Sequence, residues 1–198
     1  HIRALNEKPE LLKSCGRPAI DTQVEIRDEN DNPLPIGEIG QICAKGPQIM
    51  KGYWNKKEES EKALKGGWMH TGDAGRMDEE GFVFIQDRIK DMIVSGGENI
   101  YSTEVEAALF AHPDVVDAAV IGVPDEKYGE VVKACIVKKE GSNVTEADLI
   151  SFCKDRIASY KKPQSVDFID EVPRNASGKV LKKVLREPYW KDQERQVS

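Results

Sequence analysis

The chain has 198 residues, a formal net charge of −6 and 39% hydrophobic residues, all ordinary for a globular protein. The negative charge argues against nucleic-acid binding, which usually needs a basic surface. No run of about 18 apolar residues indicates a transmembrane segment, and the N-terminus has no apolar signal core. The four cysteines form no C-x-x-C pair, so they are interpreted as buried thiols of a reducing compartment. We therefore expect a cytoplasmic protein, with peripheral membrane attachment left open.

The first part of the chain is rich in predicted strands and turns. Alternating apolar and polar residues predict four short strands, and a polar stretch that ends at Gly66 predicts one short helix. The strands are predicted at 24–26, 37–44, 68–70 and 81–85, and the helix at 57–64. Short strands at this spacing predict a small, distorted β-barrel or a sandwich.

After Arg88 the pattern changes to alternating helices and strands. Two apolar runs rich in β-branched residues predict central strands at 115–123 and 131–137, and a third strand is predicted at 165–169. Helices are predicted after the capping-box pairs Thr103/Glu106 and Thr145/Asp148, and from Ser177 to Glu187. The sequence therefore predicts an α+β fold, in which the second domain has a central three-stranded sheet flanked by helices.

Two polar segments lie in predicted loops, where functional residues concentrate. In Thr71-Gly72-Asp73 the carboxylate could accept hydrogen bonds from a vicinal diol such as ribose, or it could form a simple Asx turn. In the segment 95–99, Gly96 and Gly97 permit close approach of the backbone to a ligand, or a tight turn before the next helix.

A third polar segment, 173–179, ends in a Gly–Lys pair similar to a phosphate-binding P-loop. The P-loop motif requires Gly at Pro173 and Ser or Thr at Val180, so that interpretation fails. Lys179 lies near a predicted helix N-terminus, where the helix dipole favours an anion. A bound phosphate or carboxylate would compensate both the positive Lys179 side chain and the positive end of the helix dipole. The alternative is a solvated surface lysine.

Taken in order, these segments resemble the later core motifs of the adenylate-forming superfamily, and most closely those of the AMP-forming fatty-acid and aryl-acid CoA ligases. The resemblance extends over nearly the whole chain. The matching segments are Trp68–Asp73, Asp87–Ile93, Ser95–Tyr101 and Pro173–Lys179. The resemblance implies an acid–thiol ligase that acts in two steps. An acid and ATP first form an acyl-adenylate and pyrophosphate, and CoA then displaces AMP to form a thioester.

The resemblance also implies the roles of individual residues. Asp73 is expected to bind the ribose hydroxyls of ATP or AMP, and Arg88 to contact the same nucleotide. Lys179 is expected to be the catalytic residue, reaching the carboxylate and the α-phosphate during adenylation. Magnesium is expected with ATP, but none of its ligands is predicted in this segment.

A mobile lid is the other feature that the resemblance implies. Residues 1–88 correspond to an incomplete C-terminal, barrel-like part of the large AMP-binding domain, and residues 89–198 to the lid domain. Lys90 matches the hinge, and Gly96 and Gly97 match the loop that faces the CoA arm. The lid is expected to rotate between the two half-reactions.

The same resemblance predicts that part of the enzyme lies outside this chain. The phosphate loop and the acyl pocket are expected upstream of His1, so the missing N-terminal half would be an obligatory partner and the chain alone would be inactive. We expect an engineered truncation, a proteolytic piece or one half of a split gene. Two alternatives remain: an adenylation enzyme that loads a carrier-protein arm, and a non-catalytic, lid-like binding module.

Overall fold

A computed structural model describes residues 6–191 of the chain. These residues divide into two compact units, the first extending to Ile89 and the second beginning at Lys90. The division falls one residue after the boundary predicted from the change in sequence pattern. The identity of each unit as a particular domain stays a prediction.

Short strands dominate both units. The strands are β1 (Gln23–Arg27), β2 (Gly40–Lys45), β3 (Met69–Met77), β4 (Val83–Arg88), β5 (Ile93–Ser95), β6 (Glu98–Ile100), β7 (Val115–Asp125), β8 (Gly129–Lys138) and β9 (Ser165–Phe168). The α-helices are α1 (Lys57–Ala63), α2 (Ser102–Phe110), α3 (Glu146–Lys154) and α4 (Lys182–Arg186). No helix in residues 6–191 combines the length and apolar character needed to cross a membrane.

The first unit contains an antiparallel sheet in which β1 to β4 follow one another in chain order. Ile26, Ile42 and Val83 form a buried cluster on this sheet. The predicted barrel is wrong for the described residues, because β1 and β4 do not pair with each other. Their outer edges instead form single bridges, from Arg27 to Pro33 and from Val83 to Gly16. The result is an open four-stranded sheet.

The second unit is built on a five-stranded sheet in which β8 is central. β7 pairs with β8 along its length, while β9 runs parallel to β8 and β5 joins it at Gly129. The three predicted strands are present, but β5 and β6 enlarge the sheet. These strands have three residues each, too few to show the alternation from which a strand is recognised.

Apolar side chains cover both faces of this sheet. The larger cluster joins Val105 and Leu109 of α2 and Leu149 of α3 to Val120 and Ile136 of the sheet. A second cluster lies on the other face of the sheet, formed by the residues of β7 and β8 that alternate with those of the first cluster. It packs against side chains of the C-terminal segment. Its members are Ile121, Val123, Val131, Cys135, Ile169, Leu185 and Tyr189. The predicted α+β class, with helices flanking the sheet, is therefore confirmed.

One of the two predicted capping boxes is present and the other is not. Thr145 and Asp148 form the predicted capping box at the start of α3. The capping box predicted at Thr103 is wrong, because α2 begins at Ser102 and Thr103 therefore already lies within the helix. The residue at the N-cap is Tyr101, whose side chain forms no capping hydrogen bond. The Glu106 carboxylate accepts the Val120 N–H at 2.8 Å and pairs with Lys182 at 2.7 Å.

Candidate functional site

The segment Thr71–Asp73 lies inside β3 and not in the loop predicted for it. The register of β3 on β2 shifts here, so that residues 71–73 lie opposite Ile42 as a bulge. Thr71 stabilises the bulge, because its hydroxyl donates to the Ile42 carbonyl at 2.8 Å and accepts the Asp73 N–H at 3.1 Å. Gly72 supplies the positive φ of +76° that the distortion requires. Bulges of this kind commonly re-aim a side chain next to a binding site.

Asp73 and Arg88 face each other across the β3–β4 pair. Arg88 Nε donates to Asp73 Oδ1 at 2.7 Å, and both side chains remain partly exposed. The second carboxylate oxygen, Oδ2, takes part in no hydrogen bond with residues 6–191. The pair therefore presents an oriented carboxylate oxygen and guanidinium N–H groups side by side, a combination that could accept hydrogen bonds from a diol and donate them to an anion.

Lys179 lies in a small hairpin and not at the start of the long helix predicted from Ser177. Arg174 and Val180 form the closing bridge of this hairpin. The Asn175 side-chain oxygen accepts the N–H groups of Ser177 at 3.1 Å and Lys179 at 2.9 Å. In this Asx turn the N–H groups of Ser177 and Lys179 donate to a side chain instead of taking part in the first turn of a helix. Helix α4 therefore begins only at Lys182.

The hairpin leaves the Lys179 side chain exposed. Within residues 6–191 its ammonium group makes no ion pair or hydrogen bond. Gly178, with φ +82°, makes the turn directly before it. A hydrogen-bonded turn thus carries a cation that is available to a ligand.

Gly96 and Gly97 form the two-residue turn between β5 and β6, closed by the pair Ser95 and Glu98. Both glycines have positive φ, +60° and +86°, as a tight type I′ hairpin turn requires. A side chain at Gly96 would lie 3.2 Å from the Tyr128 ring. Gly96 also borders an open cleft of about 570 Å³. The cleft is lined by Ser95, Gly96, Glu98, Tyr128, Ser159, Tyr160, Lys162 and Gln164.

Lys90 lies in a 3₁₀ turn, Ile89–Asp91, at the beginning of the second unit. Arg186 of α4 holds this turn. Its guanidinium donates to the Lys90 carbonyl at 3.1 Å and to the Asp91 carboxylate at 2.9 Å. The backbone at the predicted hinge is therefore tied to the C-terminal helix of the second unit.

The structure brings Asp73 and Arg88 together, but it distributes the other predicted site residues over the second unit. Asn175, Arg174 and Arg186 were not predicted as site residues. The Asn175 turn had a recognisable signal, since Asn commonly hydrogen-bonds to the backbone two residues later. The contacts of Arg174 with Asp117 and of Arg186 with Asp91 had no signal in the sequence, because these partners are distant along the chain. In the part of the chain described, no three His, Cys, Asp or Glu side chains group to hold a metal ion.

Two family models match the sequence. The AMP-binding enzyme model matches residues 2–54, and the AMP-binding enzyme C-terminal domain model matches residues 104–179. The second match ends at Lys179, the lysine exposed on the hairpin.

Known proteins match the chain over nearly all of its length. It is 43% identical over 188 residues to the fatty acid–[acyl-carrier-protein] ligase ScoC of Streptomyces coeruleorubidus, covering 95% of this chain and 36% of that protein. It is 44% identical over 180 residues to a feruloyl-CoA synthase of Amycolatopsis sp., covering 91% and 37%. The chain thus spans just over a third of the length of these relatives.

A solved structure extends the likeness to the fold. The o-succinylbenzoate CoA synthetase MenE of Bacillus subtilis, in complex with the acyl-adenylate intermediate OSB-AMP, superposes with a TM-score of 0.83 at 38% identity. The match covers 98% of this chain and 38% of that one. The chain therefore belongs to the AMP-binding, adenylate-forming enzyme family that includes acyl-CoA and aryl-CoA ligases, and it corresponds to a C-terminal part of such a protein.

Proposed function

We propose that the protein containing this chain is an ATP-dependent, AMP-forming carboxylic acid–CoA ligase, with a fatty acid as its acid substrate. The single observation that carries the proposal is the exposed Lys179 ammonium, which has no partner within residues 6–191 and lies on a hydrogen-bonded hairpin. A cation held in this way can stabilise charge that develops on oxygen without reorganising during the reaction.

The Asp73–Arg88 pair supports nucleotide binding. One Asp73 oxygen is held by Arg88, so the carboxylate keeps a fixed orientation while Oδ2 remains available to ribose hydroxyls. The Arg88 guanidinium has further N–H groups, which suit contact with the same nucleotide. The bulge at Gly72 supports this role by setting the direction of the Asp73 side chain.

In the first half-reaction an acid carboxylate attacks the α-phosphate of ATP, and pyrophosphate leaves. We assign Lys179 to the oxygens of the carboxylate and the α-phosphate, where negative charge concentrates. Removing one such electrostatic contact typically lowers the rate by about 10² to 10³.

In the second half-reaction the CoA thiolate attacks the acyl carbonyl, and AMP leaves. We assign the hinge to Lys90 and the CoA-side loop to Gly96 and Gly97. The loop suits that role because both residues lack side chains and Gly96 borders the open cleft. A short turn at the boundary between two units is a suitable hinge, since a few residues there can absorb a large dihedral change.

The acceptor of the acyl group and the class of acid substrate each need a separate test. ScoC is named for loading an acyl carrier protein, which favours a carrier-protein arm as the alternative acceptor. The relatives are named for fatty, ferulic and succinylbenzoic acids, so a panel of all three acids is required. Magnesium is proposed with ATP, and the isolated chain is proposed to be inactive.

The deciding experiment measures pyrophosphate release by the full-length polypeptide that contains this chain, with ATP and each acid in turn. We expect one acid class to support release and Lys179→Ala to lower its rate by about 10² to 10³. Lys183→Ala is the matched control, because Lys183 is an exposed lysine in α4 on the same surface segment. Asp73→Asn should raise the KM for ATP.

Thioester formation from a chemically prepared acyl-adenylate tests the second step separately. The Lys179→Ala enzyme should retain this step, and comparing CoA with an acyl carrier protein identifies the acceptor. If no acid supports pyrophosphate release by the full-length protein, the ligase proposal is wrong and a lid-like binding module becomes the better explanation.

A further inference from the structure

Arg174 connects the Lys179 hairpin to the central sheet of the second unit. Its Nη2 donates to both oxygens of Asp117 in β7, at 3.0 and 2.8 Å. Its Nη1 donates to the carbonyl of Gly178, next to Lys179, at 3.0 Å. One planar guanidinium therefore binds the sheet on one side and the turn of the hairpin on the other.

Asp117 is itself fixed in place. The Ala118 N–H donates to its Oδ1 at 2.9 Å, and the β7–β8 register shifts between Val115 and Asp117. The side chain of Asp117 is 24% exposed and that of Arg174 is 42% exposed. At this exposure solvent weakens the simple charge attraction, so the contribution of the pair lies in the geometry of its hydrogen bonds, in which both Asp117 oxygens accept from Arg174 Nη2.

The internal hydrogen bonds of the hairpin cannot provide this connection. Asn175 holds the shape of the turn through the Ser177 and Lys179 N–H groups, but those bonds all lie within the hairpin. Arg174 supplies the connection, because it donates to Gly178 within the hairpin and also to Asp117, which lies in a strand 57 residues earlier in the sequence.

We propose that Asp117 and Arg174 are positioning residues, which hold the Lys179 hairpin against β7 so that the lysine moves with its unit as one rigid body. The proposal rests on the adenylation role of Lys179 proposed above. It assigns no substrate contact to either residue. A displacement of about 1 Å at a reacting group can lower a rate by about 10²-fold, so a loosened hairpin should slow adenylation severely.

Asp117→Asn in the full-length protein is the decisive variant. We expect pyrophosphate release to fall by about 10- to 100-fold, less than in Lys179→Ala. Thioester formation from supplied acyl-adenylate should stay at the wild-type rate. Arg174→Gln should behave in the same way, Arg174→Lys should recover part of the rate, and the double variant should be no slower than the slower single variant.

Glu104→Gln is the matched control, because Glu104 also accepts two hydrogen bonds from one cation, Lys161, in the same unit. It should leave pyrophosphate release unchanged. Hydrogen exchange gives an independent readout: the Gly178 and Lys179 amides should exchange faster in Asp117→Asn, while β8 amides stay protected.

The outcomes separate the two proposals. If wild-type protein releases no pyrophosphate, the proposed function fails, but the exchange experiment still decides whether the pair holds the hairpin. If Arg174→Gln slows adenylation and Asp117→Asn does not, Arg174 contacts the substrate directly and the positioning proposal is overturned. Unchanged exchange at Gly178 and Lys179 would also overturn it.

Discussion

The Asp167 carboxylate in β9 shows how neighbouring groups control a single charge. Burial by itself would raise its pKa, but hydrogen bonds from Lys133, at 2.7 Å, and from the Tyr189 hydroxyl keep the pKa below its ordinary value. Burial also raises the pKa of Tyr189, and its hydrogen bond to Asp167 adds to that effect. The three side chains therefore join β8, β9 and the C-terminal segment.

Removing the Tyr189 hydroxyl should destabilise the second unit only while Asp167 is ionised. We expect Tyr189→Phe to lower its free energy of unfolding by about 1 kcal/mol at pH 7. Because the folded pKa of Asp167 is depressed, its stabilising effect exists above the unfolded pKa, about 3.9, and disappears as pH falls through the folded value. Hydrogen exchange of β8 amides measures the change, with Tyr53→Phe in the first unit as control.

The cysteines give a second prediction at the residue scale. Burial raises the pKa of Cys43, Cys135 and Cys153 to about 11 in each case. Cys15 is exposed, which corrects the expectation that all four thiols are buried. We expect iodoacetamide at pH 8 to modify Cys15 alone in the folded chain and all four after denaturation, as read by mass spectrometry. Rapid native modification of Cys135 would contradict this burial.

At the scale of elements, α2 depends on packing more than on its termini. It has no side-chain cap, and its buried residues Val105 and Leu109 pack on the sheet of the second unit. We expect Leu109→Ala to cost about 3 kcal/mol of unfolding free energy, because it leaves a cavity in a fully buried site. The neighbouring Phe110 is 49% exposed, so Phe110→Ala should cost much less. Denaturant unfolding compares the two variants, and equal losses would contradict the packing argument.

The element scale also shows where patterns in the sequence succeed. The two apolar runs rich in β-branched residues match β7 and β8, because a strand buried on both faces needs an apolar run. The third predicted strand matches β9, which has four residues. The predicted helix from Ser177 failed because Asn175 offers the backbone an alternative set of hydrogen bonds. This competition between a side chain and a helix for backbone N–H groups depends on a few atoms. The spacing of hydrophobic residues in the sequence therefore does not predict it.

At the scale of the whole molecule, each unit has its own apolar core. Ile26 belongs to a cluster of the first unit, while Leu109 belongs to the large cluster of the second. We therefore expect Ile26→Ala to speed hydrogen exchange in β1 to β4 and to leave β7 and β8 unchanged. Leu109→Ala should have the opposite effect. Equal acceleration in both units by either variant would mean that the chain unfolds as one cooperative body.

The sequence by itself determined the family, the α+β class and the order of the motifs, because these depend on residue types at fixed spacings along the chain. It also placed Asp73 and Arg88 fifteen residues apart, near enough for one hairpin to bring them together. Only the tertiary structure decided that the first sheet is open, that Arg186 holds the turn at Lys90 and that Asp117 holds Arg174. These features depend on contacts between residues distant in sequence, and such contacts form only when the strands and helices pack.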